Sequence, residues 1–147
     1  MQRRLVVAAG DDGLPAFSAH ANDDRDYNEN DVVIFDGVIL NSGESYLQSS
    51  SVFLCPVDGI YMFSINLITR LGQDMLCRIK RNNYTRASVT ARGETESTGS
   101  NFVVMECLEG DKVWVEATAN GNRMDGGNAR HSIFSPGLWQ LKPLIGR

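Results

Sequence analysis

The segment from residue 51 to residue 68, SVFLCPVDGIYMFSINLI, limits the possible folds more than any other part of the chain. It is rich in β-branched and aromatic residues, which are enriched in strands. Pro56 and Gly59 interrupt it, because proline fixes φ and glycine tolerates strained backbone angles. The segment therefore predicts two strands, Ser51–Leu54 and Gly59–Thr69, joined by a turn.

Short runs of the same kind occur along most of the chain, separated by turn residues. Glycine occurs 14 times and often stands beside asparagine, aspartate or serine, as turns require. No long segment has a convincing helical period. Many short strands with turns between them predict an all-β sandwich, jelly roll or barrel. The other predicted strands are Leu14–His20, Val32–Leu40, Asp74–Arg81, Arg86–Ala91, Asn101–Leu108, Lys112–Thr118 and His131–Leu141.

The predicted strands differ in how many of their faces are apolar. Lys112–Thr118 alternates between small apolar and mostly polar residues, which predicts one buried and one wet face. Gly59–Thr69 and Asn101–Leu108 carry apolar residues on both faces. An antiparallel sheet with solvent on one side does not need this second apolar face. We therefore expect another subunit to cover it, with loops of the same chain as the alternative.

Length and charge exclude several classes of function. The chain has 147 residues, the size of one ordinary domain, and a net charge of −4. That charge disfavours general nucleic-acid binding, which needs a basic surface, and electrostatic attachment to a membrane. No apolar run approaches the roughly 20 residues needed to cross a bilayer. We interpret residues 1–13 as a flexible lead-in and residues 14–147 as one globular domain.

Cys55, Cys77 and Cys107 are the cysteines of the chain, and they do not form a CxxC pair or a metal-ligand spacing with histidine. Each lies within or beside an apolar run. We expect three small core residues, with one disulfide as the main alternative.

The most acidic part of the chain is residues 22–31, NDDRDYNEND. Asp24, Asp26 and Asn28 resemble the first ligand positions of an EF-hand calcium loop. The pattern then fails, because Glu29 stands where glycine is needed and Phe35 where a bidentate acid is needed. We predict a solvated loop, assign no metal site and no cofactor, and leave calcium open as the alternative.

A second polar segment, residues 119–130, combines glycines, amides, two arginines and an aspartate. It suits a glycan or protein ligand, although any long connection between strands has this composition. No enzyme motif is present: there is no GxSxG, phosphate loop or dinucleotide fingerprint, and the two histidines lack ligand spacing. The chain is therefore predicted not to be an enzyme. Asn83 begins an N-glycosylation acceptor sequence, Asn-Tyr-Thr, at a predicted turn.

Several spaced motifs, taken together, resemble the globular head domain of the q subunit of the first complement component. They are AFSA at 16–19, VIFD at 33–36, VFLCPVDGIYMF at 52–63, GDKVWV at 110–115 and SIFS at 132–135. This family shares its fold with the tumour necrosis factor superfamily. The resemblance extends from about residue 14 to residue 141 and implies a two-sheet antiparallel jelly-roll sandwich that forms a homotrimer. A head without a collagen stalk resembles the short secreted members of invertebrates.

The resemblance implies a secreted, lectin-like pattern-recognition protein of innate immunity. The expected ligand is sialic acid or a microbial polysaccharide, with no nucleic-acid partner and no membrane insertion. The alternatives are an adhesive or cytokine-like protein ligand and an extracellular scaffold. Candidate ligand contacts are Arg70, Gln73, Asp74, Asn120, Asn122, Arg123, Asp125, Asn128 and Arg130. Candidate trimer contacts are Phe17, Tyr61, Met62, Phe63, Val103 and Met105.

Overall fold

A computed structural model describes residues 14–69, 72–93, 96–126 and 132–141, and the predicted lead-in 1–13 lies outside these ranges. All the regular elements in these ranges are β-strands. The strands are β1 Ala16–His20, β2 Arg25–Tyr27, β3 Gly37–Ser42, β4 Tyr46–Leu47, β5 Val52–Leu54, β6 Gly59–Thr69, β7 Asp74–Arg81, β8 Tyr84–Arg92, β9 Ser97–Cys107, β10 Lys112–Ala117, β11 Asn122–Met124 and β12 Ile133–Leu141.

The strands form two sheets. Sheet A has the order β3-β1-β12-β6-β9, and sheet B has the order β2-β11-β7-β10-β5-β4, with β8 paired to β7. The pairs are antiparallel except β11 with β7, which meet in parallel at a single position. This arrangement confirms the predicted all-β, two-sheet jelly roll. Across the described residues there is no helix with the length and hydropathy needed to span a membrane.

The core lies between the inner faces of the sheets and is dominated by aromatic rings. Phe17 stacks on Tyr46 with ring centroids 3.9 Å apart, and Phe53 contacts Tyr61 and Phe63 edge to face. Such pairs stabilise the core beyond the apolar area they bury. The buried face predicted for Lys112–Thr118 is confirmed in β10, where Val113, Val115 and Ala117 are fully buried, but on the predicted wet face Glu116 is only 8% exposed.

One predicted strand is only partly correct. Val32–Leu40 was expected to be continuous, but the strand is β3, and residues 33–36 are irregular. Val33 donates its backbone N–H to the Val115 carbonyl, and Phe35 donates its backbone N–H to Ser51 Oγ at 3.0 Å. Isolated bonds of this kind replace a ladder while both side chains enter the core.

At Gly99 the two sheets approach each other closely. A Cβ at this position would lie 2.5 Å from the backbone oxygen of Thr90, which belongs to β8. Glycine is therefore required where β9 of sheet A passes β8 of sheet B.

Candidate functional site

The two predicted ligand loops meet at one end of the sandwich. There β11 pairs with β2, and its Asn122 is also the Cα partner of Asp74 at the start of β7. The Asn122 amide donates to the Leu76 carbonyl at 2.8 Å, and its oxygen accepts from the Leu76 N–H at 3.3 Å. Asn122 is buried. Its side chain thus completes the backbone pairing of β7 and offers no surface to a ligand.

Arg123 holds together the acidic residues that suggested calcium. Its Nη1 donates to Asp26 Oδ1 at 3.0 Å, and its Nη2 lies 3.5 Å from Asp24 Oδ2. The hydrogen bond to Asp26 raises the pKa of Arg123 above its ordinary value. Asp24 also accepts a bond from the Gly126 N–H. Within the described residues, no group of three or more His, Cys, Asp or Glu side chains is placed to hold a metal ion.

Asp125 is buried in the connection after β11. Its backbone N–H donates to the Ile68 carbonyl, and its own carbonyl accepts from Ser132 Oγ at 2.7 Å. The next residue is Gly126, where a Cβ would lie 2.5 Å from the Asp23 carbonyl oxygen. This close packing places Asp125 inside the fold rather than on its surface.

The remaining predicted ligand residues are more accessible. Asp74 pairs with Arg92 at 3.5 Å, and the Asn120 side chain accepts from the Glu29 N–H at 2.9 Å. Asn120 is exposed, and Gln73 is partly exposed. The structure therefore brings Gln73, Asp74 and residues 120–125 to one end, which we call the loop end. Arg70, Asn128 and Arg130 lie outside the described residues.

The outer face of sheet A carries exposed apolar side chains on two neighbouring strands. Met62 on β6 is 40% exposed, while Phe102 and Val104 on β9 are 62% and 38% exposed. Met62 is the cross-strand partner of Val104, and Ser64 is the partner of Phe102. An open depression of about 650 Å³ lies here, lined in part by Met62, Phe102 and Ile133. We call Met62, Phe102 and Val104 the apolar strip.

The residues predicted for the trimer interface differ in how far they are exposed in the single chain. The side chains of Phe17, Tyr61 and Phe63 are fully enclosed in the core of the protomer, and Val103 and Met105 pack against that core. The first three leave no side-chain surface for a partner subunit, whereas Val103 and Met105 are partly exposed and stay predicted interface contacts. Met62 is the one of the six that lies in the apolar strip, and Phe102 and Val104 were not among the predicted contacts.

The missed residues share a face that the sequence already marked as apolar. The pairing of Phe63 with Val103 sets which side of β9 points inward, and this leaves Phe102 and Val104 outside. The residue pattern of β9 alone shows only that both of its faces are apolar. The pairing register between strands decides which one is buried.

The outer face of sheet B carries charged side chains that are paired with one another. Glu116 accepts from Arg78 Nε at 3.0 Å and lies 3.8 Å from Lys80 Nζ, and Trp114 Nε1 donates to its other oxygen. Burial alone would raise the pKa of Glu116. The hydrogen bonds from Arg78 and Trp114 and the charge of Lys80 outweigh burial, so the pKa lies below its ordinary value. We call these four residues the charged cluster.

Asn83 lies exposed at the tip of the β7–β8 hairpin, which suits a glycan acceptor. Its glycosylation stays a prediction.

Comparison with known proteins gives relatives for most of the chain. A family model described as the C1q domain matches residues 16–138. The chain is 28% identical over 130 residues to one subunit of the complement C1q subcomponent of Mus musculus and 29% identical over 130 residues to the corresponding subunit of Rattus norvegicus. These alignments cover 85% of this chain and 52% of each relative. The chain thus spans about half the length of these curated relatives.

Solved structures are similar over nearly the same extent. The globular domain of the zebrafish complement 1qA protein has a TM-score of 0.71 at 21% identity, covering 86% of this chain and 98% of that one. The Eiger TNF of S. frugiperda has a TM-score of 0.73 at 11% identity, covering 91% and 98%. At these identities the likeness establishes a common fold.

Proposed function

Because this chain belongs to the C1q domain family, we propose that it is a secreted, non-enzymatic recognition protein of innate immunity that assembles as a homotrimer and binds glycans. The apolar strip on the outer face of sheet A is the observation that carries the proposal. Members of the family serve as recognition and ligand proteins. The relatives named above as complement subunits support an immune role.

We infer assembly because exposing the apolar strip to water is unfavourable in free energy. Met62, Phe102 and Val104 are adjacent across β6 and β9 and are exposed in the single chain. A contiguous exposed apolar patch is typical of a contact between subunits. A second copy of the chain has the same need to cover its strip, and cyclic symmetry satisfies every copy at once.

Assembly state is tested by light scattering of the purified chain at micromolar concentration. We expect the mass of three chains. A stable monomer would overturn the trimer and leave the recognition proposal to be judged on binding alone.

Ligand recognition is proposed for the loop end. Its strands β2 and β11 belong to sheet B, so a subunit that covers the apolar strip of sheet A leaves them accessible. Asn120 and the exposed carboxylate of Asp26 are groups that bond well to sugar hydroxyls. Residues 22–31 carry five carboxylates and one arginine. This negative charge repels the carboxylate of sialic acid and therefore favours an uncharged microbial polysaccharide.

Three loop ends on one trimer raise the apparent affinity for a repetitive surface. A weak single site becomes useful when the second and third contacts are intramolecular. A polysaccharide with repeating units is therefore a better ligand than its isolated monosaccharide.

A glycan array containing neutral polysaccharides, sialylated glycans and monosaccharides tests the ligand. We expect binding to neutral polysaccharides and about a fivefold loss in Asn120→Ala, since a hydrogen bond to a ligand is worth about 1 kcal/mol. Ser88→Ala on the exposed outer face of sheet B is the matched control. Absence of binding to every glycan, with or without added calcium, would overturn the lectin proposal.

A protein ligand is the second candidate, and a separate surface supports it. Leu47, Leu54 and Leu108 are exposed apolar side chains, and the first two line an open depression of about 340 Å³ beside Pro56. Exposed leucines of this kind favour contact with a protein over contact with a sugar. Saturable binding to cells that sugars do not inhibit, and that Leu54→Asp abolishes, would favour this candidate.

A further inference from the structure

Cys55 and Cys107 are the chemically reactive groups that assembly and ligand binding leave unused. Both are free and buried in the same core cluster, and each thiol lies close enough to shift the pKa of the other. Cys55 follows β5 of sheet B, whereas Cys107 is the last residue of β9 of sheet A. Two thiols far apart in sequence therefore meet at the point where the two sheets approach.

The backbone holds the two cysteines in place. The Cys55 N–H donates to the Asp111 carbonyl at 2.8 Å, and its carbonyl accepts from the Gly110 N–H at 2.9 Å. Both partners belong to the turn that directly follows Cys107. The cross-strand neighbour of Cys107 is Gly59 at the start of β6. Gly59 has no side chain that could separate the thiols. The position of Cys55 relative to Cys107 is thus fixed by the fold and does not depend on a flexible loop.

We propose that Cys55 and Cys107 form a redox pair, which a small-molecule disulfide such as oxidised glutathione converts to an intramolecular disulfide that joins the two sheets. The open depression beside Pro56, which Cys55 helps to line, is the route by which the small molecule reaches the buried pair.

The reaction balances as two thiol–disulfide exchanges. The Cys55 thiolate attacks one sulfur of oxidised glutathione, forms a mixed disulfide and releases one glutathione thiolate. The Cys107 thiolate then attacks the Cys55 sulfur and releases the second glutathione thiolate. The two protons lost by the cysteines go to the two released thiolates. Both cysteines are oxidised and one glutathione disulfide is reduced to two thiols.

The surroundings of the thiols favour this order of attack. The interaction with Cys107 lowers the pKa of Cys55 and outweighs burial, which acts in the opposite direction. The same interaction raises the pKa of Cys107, and burial adds to it. Since the thiolate is the nucleophile, Cys55 attacks first and Cys107 resolves the mixed disulfide.

Cys77 provides a matched control within the same chain. It is equally buried, but burial alone raises its pKa to about 12, and no thiol lies beside it. We expect it to stay reduced under conditions that oxidise the pair.

The test uses the full chain, reduced and then equilibrated with glutathione buffers from reducing to oxidising, followed by alkylation and peptide mass spectrometry. We expect a Cys55–Cys107 cross-linked peptide, with Cys77 alkylated throughout and Cys77→Ala behaving like the wild type. In Cys107→Ala, Cys55 should stop at the mixed disulfide with glutathione. A wild-type chain that stays fully alkylated in the oxidising buffer, or whose cross-link involves Cys77 or a second chain, overturns the proposal.

Thermal unfolding gives a second readout on the same samples. Oxidation should raise the Tm of the wild type and of Cys77→Ala by about 5–10 °C, since the bond closes a long loop between two sheets. The reduced forms set the baseline, so a variant that folds poorly does not affect the wild-type comparison. A cross-link that forms without raising the Tm would mean that the bond strains the fold, and would overturn its role as a joint between the sheets.

Discussion

The apolar strip on sheet A and the charged cluster on sheet B lie on the outer faces of the two sheets and differ in chemistry. On sheet A, the apolar strip is exposed and has no cover within the described part of its own chain. On sheet B, the members of the charged cluster bond to one another, and the charged side chains among them are at most 27% exposed. Lys80 also lies over the Trp114 ring, with Nζ 5.8 Å from the centroid.

The difference indicates which face needs a partner. Charged side chains that are already paired gain little from contact with a second subunit. Exposed apolar side chains, in contrast, leave water only when another molecule covers them. Sheet A is therefore the face on which we expect assembly, whereas the charged cluster of sheet B needs no second subunit.

The largest expected effect is from Met62→Glu. A carboxylate in the apolar strip would be buried without a partner at every subunit contact, which costs several kcal/mol. We expect the trimer association constant to fall by roughly 1,000-fold or more. Sedimentation velocity over a concentration series measures it.

Thr90→Glu is the control for that experiment, since Thr90 is exposed on β8 of sheet B. It adds the same charge and should leave the trimer intact. Loss of the trimer in both variants, or in neither, would contradict the proposal that only sheet A forms the contact between subunits.

Glu116→Gln should produce the next largest effect, on folding rather than on assembly. It keeps the shape of the side chain but removes the charge that Arg78 and Lys80 share. We expect a loss of about 1–3 kcal/mol in the free energy of unfolding, because two partly buried cations lose their counter-charge. Urea unfolding at one fixed protein concentration, ideally in the Met62→Glu background, measures it. An unchanged midpoint would show that the cluster is effectively solvent-exposed.

The pH dependence of the same pair of proteins gives a smaller effect. The pKa of Glu116 is lowered in the folded protein, so its stabilising contribution is present above the unfolded pKa and is lost as pH falls through the folded value. The difference in stability between the wild type and Glu116→Gln should be full at neutral pH and shrink below about pH 4. A difference that grows on acidification would contradict the assigned direction.

Arg92→Ala should have the smallest effect. Arg92 and Asp74 form an ion pair whose side chains are 66% and 46% exposed, so solvent screens it. We expect a change of less than about 0.5 kcal/mol in the free energy of unfolding. A loss of stability as large as that of Glu116→Gln would show that burial does not determine how much an ion pair on sheet B stabilises the fold.

The sequence predicted the sandwich because large elements carry strong local signals. Gly59–Thr69, Asp74–Arg81 and Lys112–Ala117 were expected nearly to the residue, since each is a long run with β-branched, aromatic or alternating residues. The strands β2, β4 and β11 were missed, because segments of two or three residues have no period of their own. They are strands only because a neighbour pairs with them.

The site was harder to predict because composition does not show which polar groups are already paired. Asn122, Arg123 and Asp125 have the chemistry of ligand contacts, yet each is used within the fold. The contact between Cys55 and Cys107 was equally hidden, since about 50 residues separate them and only tertiary packing joins them.

One amide attaches the loop end to the sandwich. Because Asn122 bonds to Leu76 by its side chain, β11 needs only one Cα partner on β7. We expect insertions and substitutions on either side of that anchor to change the loop end without shifting the register of β7 and β10. The fold therefore separates the sequence requirements of this end from those of the jelly roll.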